Sequence, residues 1–213
     1  MLMNNSLCVF IVLSLLIVSP SAAQIDSLKQ IRVSGGISDP RAPGSFYDYW
    51  KNGFDVEIGA DYNFNADFDF TAVAEFSSFP FAQERFFQKI KVNDYDVSMD
   101  GAGTSILALT GNVTCILYRS KVNPKVSRPY VLGGAGILLS SISSSTINYP
   151  FAPTTEARSI YVVPCVHIGC GLITLLSPGM EWFIEINYLY GITTSQKINT
   201  DYSSVRMGIA FTP

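Results

Sequence analysis

Two arginines and six carboxylates stand at alternate positions of short apolar segments. Arg32 lies in "QIRVSGGIS", Asp55, Glu57 and Asp61 in "GFDVEIGADYNF", and Asp69 and Glu75 in "FDFTAVAEFSS". Glu185 lies in "EWFIEINYLY" and Arg206 in "DYSSVRMGIAF". A period of two puts the charges on one face of each strand and Phe, Ile, Val and Tyr on the other. A guanidinium facing a carboxylate forms charge-assisted, often bidentate hydrogen bonds. Charges withdrawn from water require such partners. The chemistry expected of these eight residues is therefore ion pairing across an enclosed space, not turnover.

Catalytic patterns are thin by comparison. The chain has one histidine, His167 in "VHIGCG", and the position two further along is Gly169, not a serine nucleophile. Cys165 shares the face of His167 one pleat away, and a Cys-x-His in a strand is not in itself an activated thiol. With no Cys-x-x-Cys pair and a single histidine, neither a metal centre nor a cofactor is expected. The glycines of "GGAG" (133–136) and of "SGG" fall inside strands with no helix after them, so they do not form phosphate loops. The sequon "NVT" at Asn112 lies within a strand and reads as a chance match.

Composition bounds the elements that must carry these residues. Charged residues make up 15% of the 213, against a usual share of about a quarter, while Phe and Tyr number 14 and 11. A net charge of −3 and the absence of a basic-aromatic patch exclude nucleic acid as a partner. Eight alternating segments can be read: 30–38, 53–64, 68–78, 105–118, 129–141, 159–175, 181–190 and 201–211. In the fifth, glycines sit on both faces and leave its facing open. The links after the first, third, fifth and seventh segments are long, those after the second and sixth are very short, and the fourth is moderate. This alternation, with strands near the 9–11 residues that a tilted membrane strand requires, predicts an up-and-down barrel with both termini at its short-turn end.

The N-terminus reads as an export signal. "LCVFIVLSLLIV" is shorter than the roughly 20 residues of a spanning helix. Pro20 breaks it, and Ser21 and Ala23 stand at −3 and −1 of a cut before Gln24. The division expected is a signal peptide over 1–23 and one β-barrel domain over 24–213, although "MLMNNS" lacks the usual Lys or Arg.

Residue types decide which face is wet. The bulky apolar face carries no charge along seven of the eight segments, and the opposite face is built of Gly, Ser, Thr, Asn and a few charges. Such a polar face is too small for the outside of a soluble barrel and suits the inside of a narrow one. On "YDYWKNGFDVEIGADYNF", "RPYVLGGAGILLSS", "EWFIEINYLYG" and the closing "VRMGIAF", the sequence resembles the eight-stranded outer-membrane β-barrel family of the OmpA/OmpX type. The resemblance covers essentially all of the chain after Gln24. It implies an all-β, eight-stranded antiparallel transmembrane β-barrel in the outer membrane, with a structural or surface role and no enzymatic activity. The partners it implies are outer-membrane lipid, the barrel-insertion machinery and an unidentified surface ligand met by the external loops. The chain departs from the pattern at its end, where Phe211 is third from last, before Thr212 and Pro213. Tyr47, Tyr49, Trp50, Trp182, Tyr188 and Tyr190, with Phe46, are expected to form an interfacial aromatic girdle. Two alternatives share the strand pattern: an exported soluble lipocalin-like ligand-binding barrel, and a small barrel lipid-modifying enzyme.

Overall fold

A computed structural model describes residues 26–41, 44–63, 68–90, 98–118, 126–148, 154–192 and 200–213. The expected signal segment, Phe64 with the tight turn after it, and the basic stretch from Arg119 to Lys125 lie outside these residues. Eight strands close into one antiparallel barrel: β1 (Asp26–Pro40), β2 (Gly53–Asn63), β3 (Phe68–Pro80), β5 (Gly103–Ile116), β6 (Arg128–Ile142), β9 (Ser159–Ser177), β10 (Met180–Gly191) and β11 (Asp201–Phe211). Each pairs with its neighbour in sequence, and β11 returns to β1 with Gly36 opposite Arg206. Closure leaves no unpaired edge in this sheet. The link from β9 to β10 is Pro178–Gly179, with Gly179 at φ 78°, the residue order of a type II turn.

The long links carry structure that the alternation pattern does not announce. Helix α1 (Ser45–Tyr49) lies between β1 and β2, and helix α2 (Gln83–Ile90) follows β3. Strands β4 (Ser98–Asp100), β7 (Ser145–Asn148) and β8 (Thr154–Glu156) form a separate three-stranded sheet in the order β4-β7-β8. Eight strands are thus correct for the barrel, and three more belong to its loops.

In the middle of the barrel strands, facing follows residue type. Ile58, Leu109, Ile168, Ile186 and Val205 are exposed, while Glu57, Thr110, His167, Glu185 and Arg206 are buried. Strand β6, whose facing the sequence leaves open, turns Tyr130, Leu132, Leu138 and Ser140 inward and Val131 and Ile137 outward. Over 31–37, 54–62, 68–80, 107–117, 131–141, 160–176, 180–190 and 205–211, no outward-facing residue is charged. Nine residues such as Phe54 to Tyr62, at about 3.3 Å each and tilted by about 40°, make a band roughly 20 Å tall.

Two clusters of buried apolar residues stand at the two ends of the interior. At the short-turn end Ile116, Tyr130 and Leu132 pack with Ile173. At the long-loop end Phe46 of α1 and the following Trp50 pack with Phe79, Ile106, Leu138, Leu189 and Tyr202. The expectation of a girdle fails here. Phe46 and Trp50 are 1% and 3% exposed, and Phe46 meets Phe79 edge-on at 5.1 Å. The segment after β1 folds back over the barrel mouth, because rings this large find more apolar contact in the mouth than on the rim.

Candidate functional site: the charged interior

Between the two apolar ends lies a layer of ionic side chains, and Arg206 is its centre. Its Nη1 donates to Glu75 Oε2 at 2.9 Å and sits 2.7 Å from Glu57 Oε2 and 3.9 Å from Asp55 Oδ1. Its Nε donates to Glu185 Oε1 at 3.0 Å. Arg206 belongs to β11, yet Asp55, Glu57 and Glu75 belong to β2 and β3, so its side chain must cross β1. It crosses at Gly36, its direct partner, where a Cβ would lie 2.7 Å from the Cβ of Arg206 and 2.2 Å from the Val205 carbonyl oxygen. Only glycine leaves that path clear.

Arg32 reaches round the barrel in the opposite direction. Its guanidinium lies 4.1 Å from the centre of the Phe183 ring, a cation–π geometry. Its Nη2 donates to Glu185 Oε2 at 3.1 Å and to the Tyr130 hydroxyl at 3.3 Å. Asp61 is more distant, with Oδ1 4.0 Å from Nη1. Glu185 therefore serves both arginines, one on each oxygen. Tyr130 also donates to Oε2 at 2.7 Å, and Asn187 Nδ2 donates to Oε1 at 2.7 Å.

The other charged positions are held at shorter range. Tyr202 donates to Glu75 Oε1 at 2.7 Å, Ser38 to Asp55 Oδ2 at 2.8 Å and Thr71 to Asp61 Oδ1 at 2.7 Å. Asp69 stands apart from the central cluster and pairs with Lys29 at 2.6 Å. Arg128 pairs with Glu181, which also accepts from Gln30 Nε2 at 3.0 Å. Arg32, Asp55, Glu57, Glu75, Glu185 and Arg206 thus come together, Asp61 lies at their margin, and Asp69 belongs to the short-turn end.

His167 faces inward. Its Nδ1 is 3.2 Å from Asn112 Oδ1, and its Nε2 is 3.1 Å from Asn187 Oδ1 and 3.3 Å from Arg206 Nη2. A Cβ on Gly169 would lie 2.1 Å from Asn187 Oδ1, so the glycine two residues on makes room for the amide that positions the imidazole. Among the described residues, Cys115, Cys165 and Cys170 are free thiols. No group of three or more potential metal ligands occurs among the described residues.

Several partners of the charges could not be singled out in the sequence. Tyr202 and Glu181 have the inward phase of their strands, and Lys29 and Arg128 stand where β1 and β6 meet the short-turn end. Tyr130 was hidden by the glycines of β6. Nothing in a strand's own alternation tells which residue of a distant strand it will meet.

The girdle residues divide. On β10, Trp182 points outward near the short-turn rim, opposite Thr174 and Ile209, and Tyr188 and Tyr190 lie near the other rim, opposite Ser203 and Asp201. Tyr47 and Tyr49 belong to a loop cap instead. Arg85 of α2 lies 4.1 Å from the centre of the Tyr47 ring and donates to the carbonyl oxygens of Tyr47 and Trp50 at 2.7 and 2.8 Å. Tyr49 packs on Phe86 at 5.6 Å. Lys89 donates to Asp48 at 2.5 Å, and this hydrogen bond raises its ammonium above the usual lysine value.

No family model matches the chain, and no curated protein matches its sequence. Similarity appears among solved structures. The Neisserial surface protein A (NspA) superposes with a TM-score of 0.52 at 10% identity, over 86% of this chain and 96% of that chain. The N-terminal β-barrel domain of Pseudomonas aeruginosa OprF gives 0.44 at 14% identity, over 86% and 97%. Ail of Yersinia pestis, solved with the heparin analogue sucrose octasulfate, gives 0.46 at 13% identity, over 87% and 100%. The fold is that of the eight-stranded outer-membrane β-barrels.

Proposed function

We propose that this protein is a bacterial outer-membrane β-barrel with a structural or surface-interaction role, its lumen plugged by charged and polar side chains. The observation that carries this reading is the inversion of polarity: an uncharged apolar band surrounds a closed barrel whose arginines and carboxylates are buried inside. In water such an exterior would be an aggregation surface. In hydrocarbon it is the only stable one, because a closed barrel satisfies every backbone group and a lipid-facing Arg or Lys at mid-membrane costs about 2–4 kcal/mol. A soluble lipocalin-like barrel would carry its apolar residues inside and its charges outside.

In this reading Arg206 and Arg32 cross-link the barrel through Glu57, Glu75 and Glu185, and eight strands enclose little more than these side chains. The short turns and both termini lie in the periplasm. The cap of α1 and α2 and the sheet β4-β7-β8 lie outside the cell, where they meet a surface ligand. Outer-membrane lipid is the partner of the apolar band. The barrel-insertion machinery is the partner that would place it there. A signal peptide over 1–23 would deliver the chain. His167, turned inward among Asn112, Asn187 and Arg206, is a packing histidine of the lumen and not a base at the lipid face.

Membrane fractionation with heat-modifiable gel mobility tests the assignment. The mature chain should sediment with outer membranes, require detergent for release and migrate differently before and after boiling. Recovery from the periplasm without detergent would overturn it. Hydrolysis of lipid A that is lost in His167→Ala would overturn the non-enzymatic role.

A further inference from the structure

Seven buried side-chain atoms among the described residues have no hydrogen-bond partner, and four of them belong to residues that line a single cavity. The four are Arg32 Nε, Asp69 Oδ1, Thr114 Oγ1 and Arg128 Nε. Arg32, Asp69 and Thr114 are each more than nine-tenths buried. The cavity lies at the short-turn end, below the charged layer, and its volume is about 20 Å³. One water molecule requires roughly 10–15 Å³.

Arg32, Asp69 and Arg128 are fixed by their other atoms, so none of the three turns easily to satisfy the open one. Arg32 is held through Nη2 by Glu185 and Tyr130 and stacked on Phe183. Asp69 is held through Oδ2 by Lys29, and Arg128 through Nη2 by Glu181. Asp69 and Thr114 face each other directly across β3 and β5. What remains open is two N–H donors and two acceptors, the complement of one water molecule. The charges lining the cavity cancel, with Lys29, Arg32 and Arg128 against Asp61, Asp69 and Glu181. With no net charge in its lining, the cavity favours neither a cation nor an anion.

We infer that this cavity is a binding site for a structural water, which accepts from Arg32 Nε and Arg128 Nε and donates to Asp69 Oδ1 and Thr114 Oγ1. The water joins β1, β3, β5 and β6 at the short-turn end. It adds a hydrated polar joint at the short-turn end, beside Ile116, Tyr130 and Ile173, which also line the cavity. This assignment does not depend on the surface role proposed above, only on the barrel.

Two measurements on the protein refolded in detergent test it. A crystal structure that shows ordered solvent should place a water within about 3.2 Å of Asp69 Oδ1, of Thr114 Oγ1 and of at least one arginine Nε. Thr114→Val keeps the shape and removes the hydroxyl. If the hydroxyl holds a water, the urea midpoint falls. If it is unpartnered, deleting it leaves the midpoint unchanged or raises it. Thr114→Ser, which retains the hydroxyl, should keep both the water and the ability to fold even if Thr114→Val does not refold. A site in which the four atoms pair with other protein groups, density that refines only as an ion, or an unchanged or raised midpoint in Thr114→Val would each overturn the inference.

Discussion

Arg206 carries more of the interior than any other side chain. One nitrogen stands between Glu57 and Glu75, with Asp55 just beyond hydrogen-bond reach, and another meets Glu185. Removing it leaves Glu57 and Glu75 facing each other without a counter-charge and Glu185 held by Arg32 alone. Loss of one partner from a buried ionic cluster costs about 3–5 kcal/mol. Arg206→Leu is therefore expected to lower the unfolding free energy of the detergent-folded barrel, read from urea denaturation, by an amount in that range. Planar-bilayer conductance should stay at its wild-type level, because the mouth above remains filled by Phe46, Phe79 and Tyr202. A sharp rise in conductance would count against a plugged lumen. The alternation of strands made these charges readable as one inward-facing set. Which acid each arginine meets was not readable, because it depends on side chains crossing over a neighbouring strand at Gly36.

At the scale of elements, the loop cap and the outer faces of strands behave differently. Helices α1 and α2 are joined by Arg85, which holds two backbone carbonyls of the α1 segment and stacks on Tyr47. Arg85→Ala should release that segment at a local cost of about 1–3 kcal/mol. Limited proteolysis of the folded protein would then cut faster around Arg41 and Lys51, with the barrel's heat-modifiable mobility unchanged. Ile58, outward on β2 and 56% exposed, tests the other kind of surface. In a bilayer, Ile58→Arg should destabilise the barrel by about 2–4 kcal/mol. On a water-facing strand the same change would be close to neutral, so equilibrium unfolding from lipid vesicles separates the two cases. Alternation gave the facing of seven strands and the turn at Pro178–Gly179. It gave neither α1, α2 nor the sheet β4-β7-β8, whose segments are short and lack a sustained period.

For the whole molecule, the topology places the start of β1, the end of β11 and the turn at Pro178–Gly179 at one end, and the cap and the small sheet at the other. Insertion with the short turns inward exposes Lys51, Lys89 and Arg158 outside the cell. Trypsin added to intact cells should cut at the long-loop end and leave a membrane-embedded core, with further cuts only after the envelope is broken. Cleavage confined to broken cells would reverse the orientation.

The sequence by itself determined the period, the polarity of each face and the order of long and short links, because these are local properties of a chain with two side-chain directions per strand. From them follow a closed eight-stranded barrel and an inward set of charges. Only the tertiary structure decided where those charges meet and what closes the mouth. Arg206 finds Glu57 and Glu75 because closure sets β11 beside β1 and Gly36 leaves the crossing open. Phe46 and Trp50 leave the rim for the interior because the mouth, formed by seven other residues of the apolar cluster, offers their rings more buried contact. Both outcomes depend on the distance between segments far apart in the chain, a quantity that no local pattern contains.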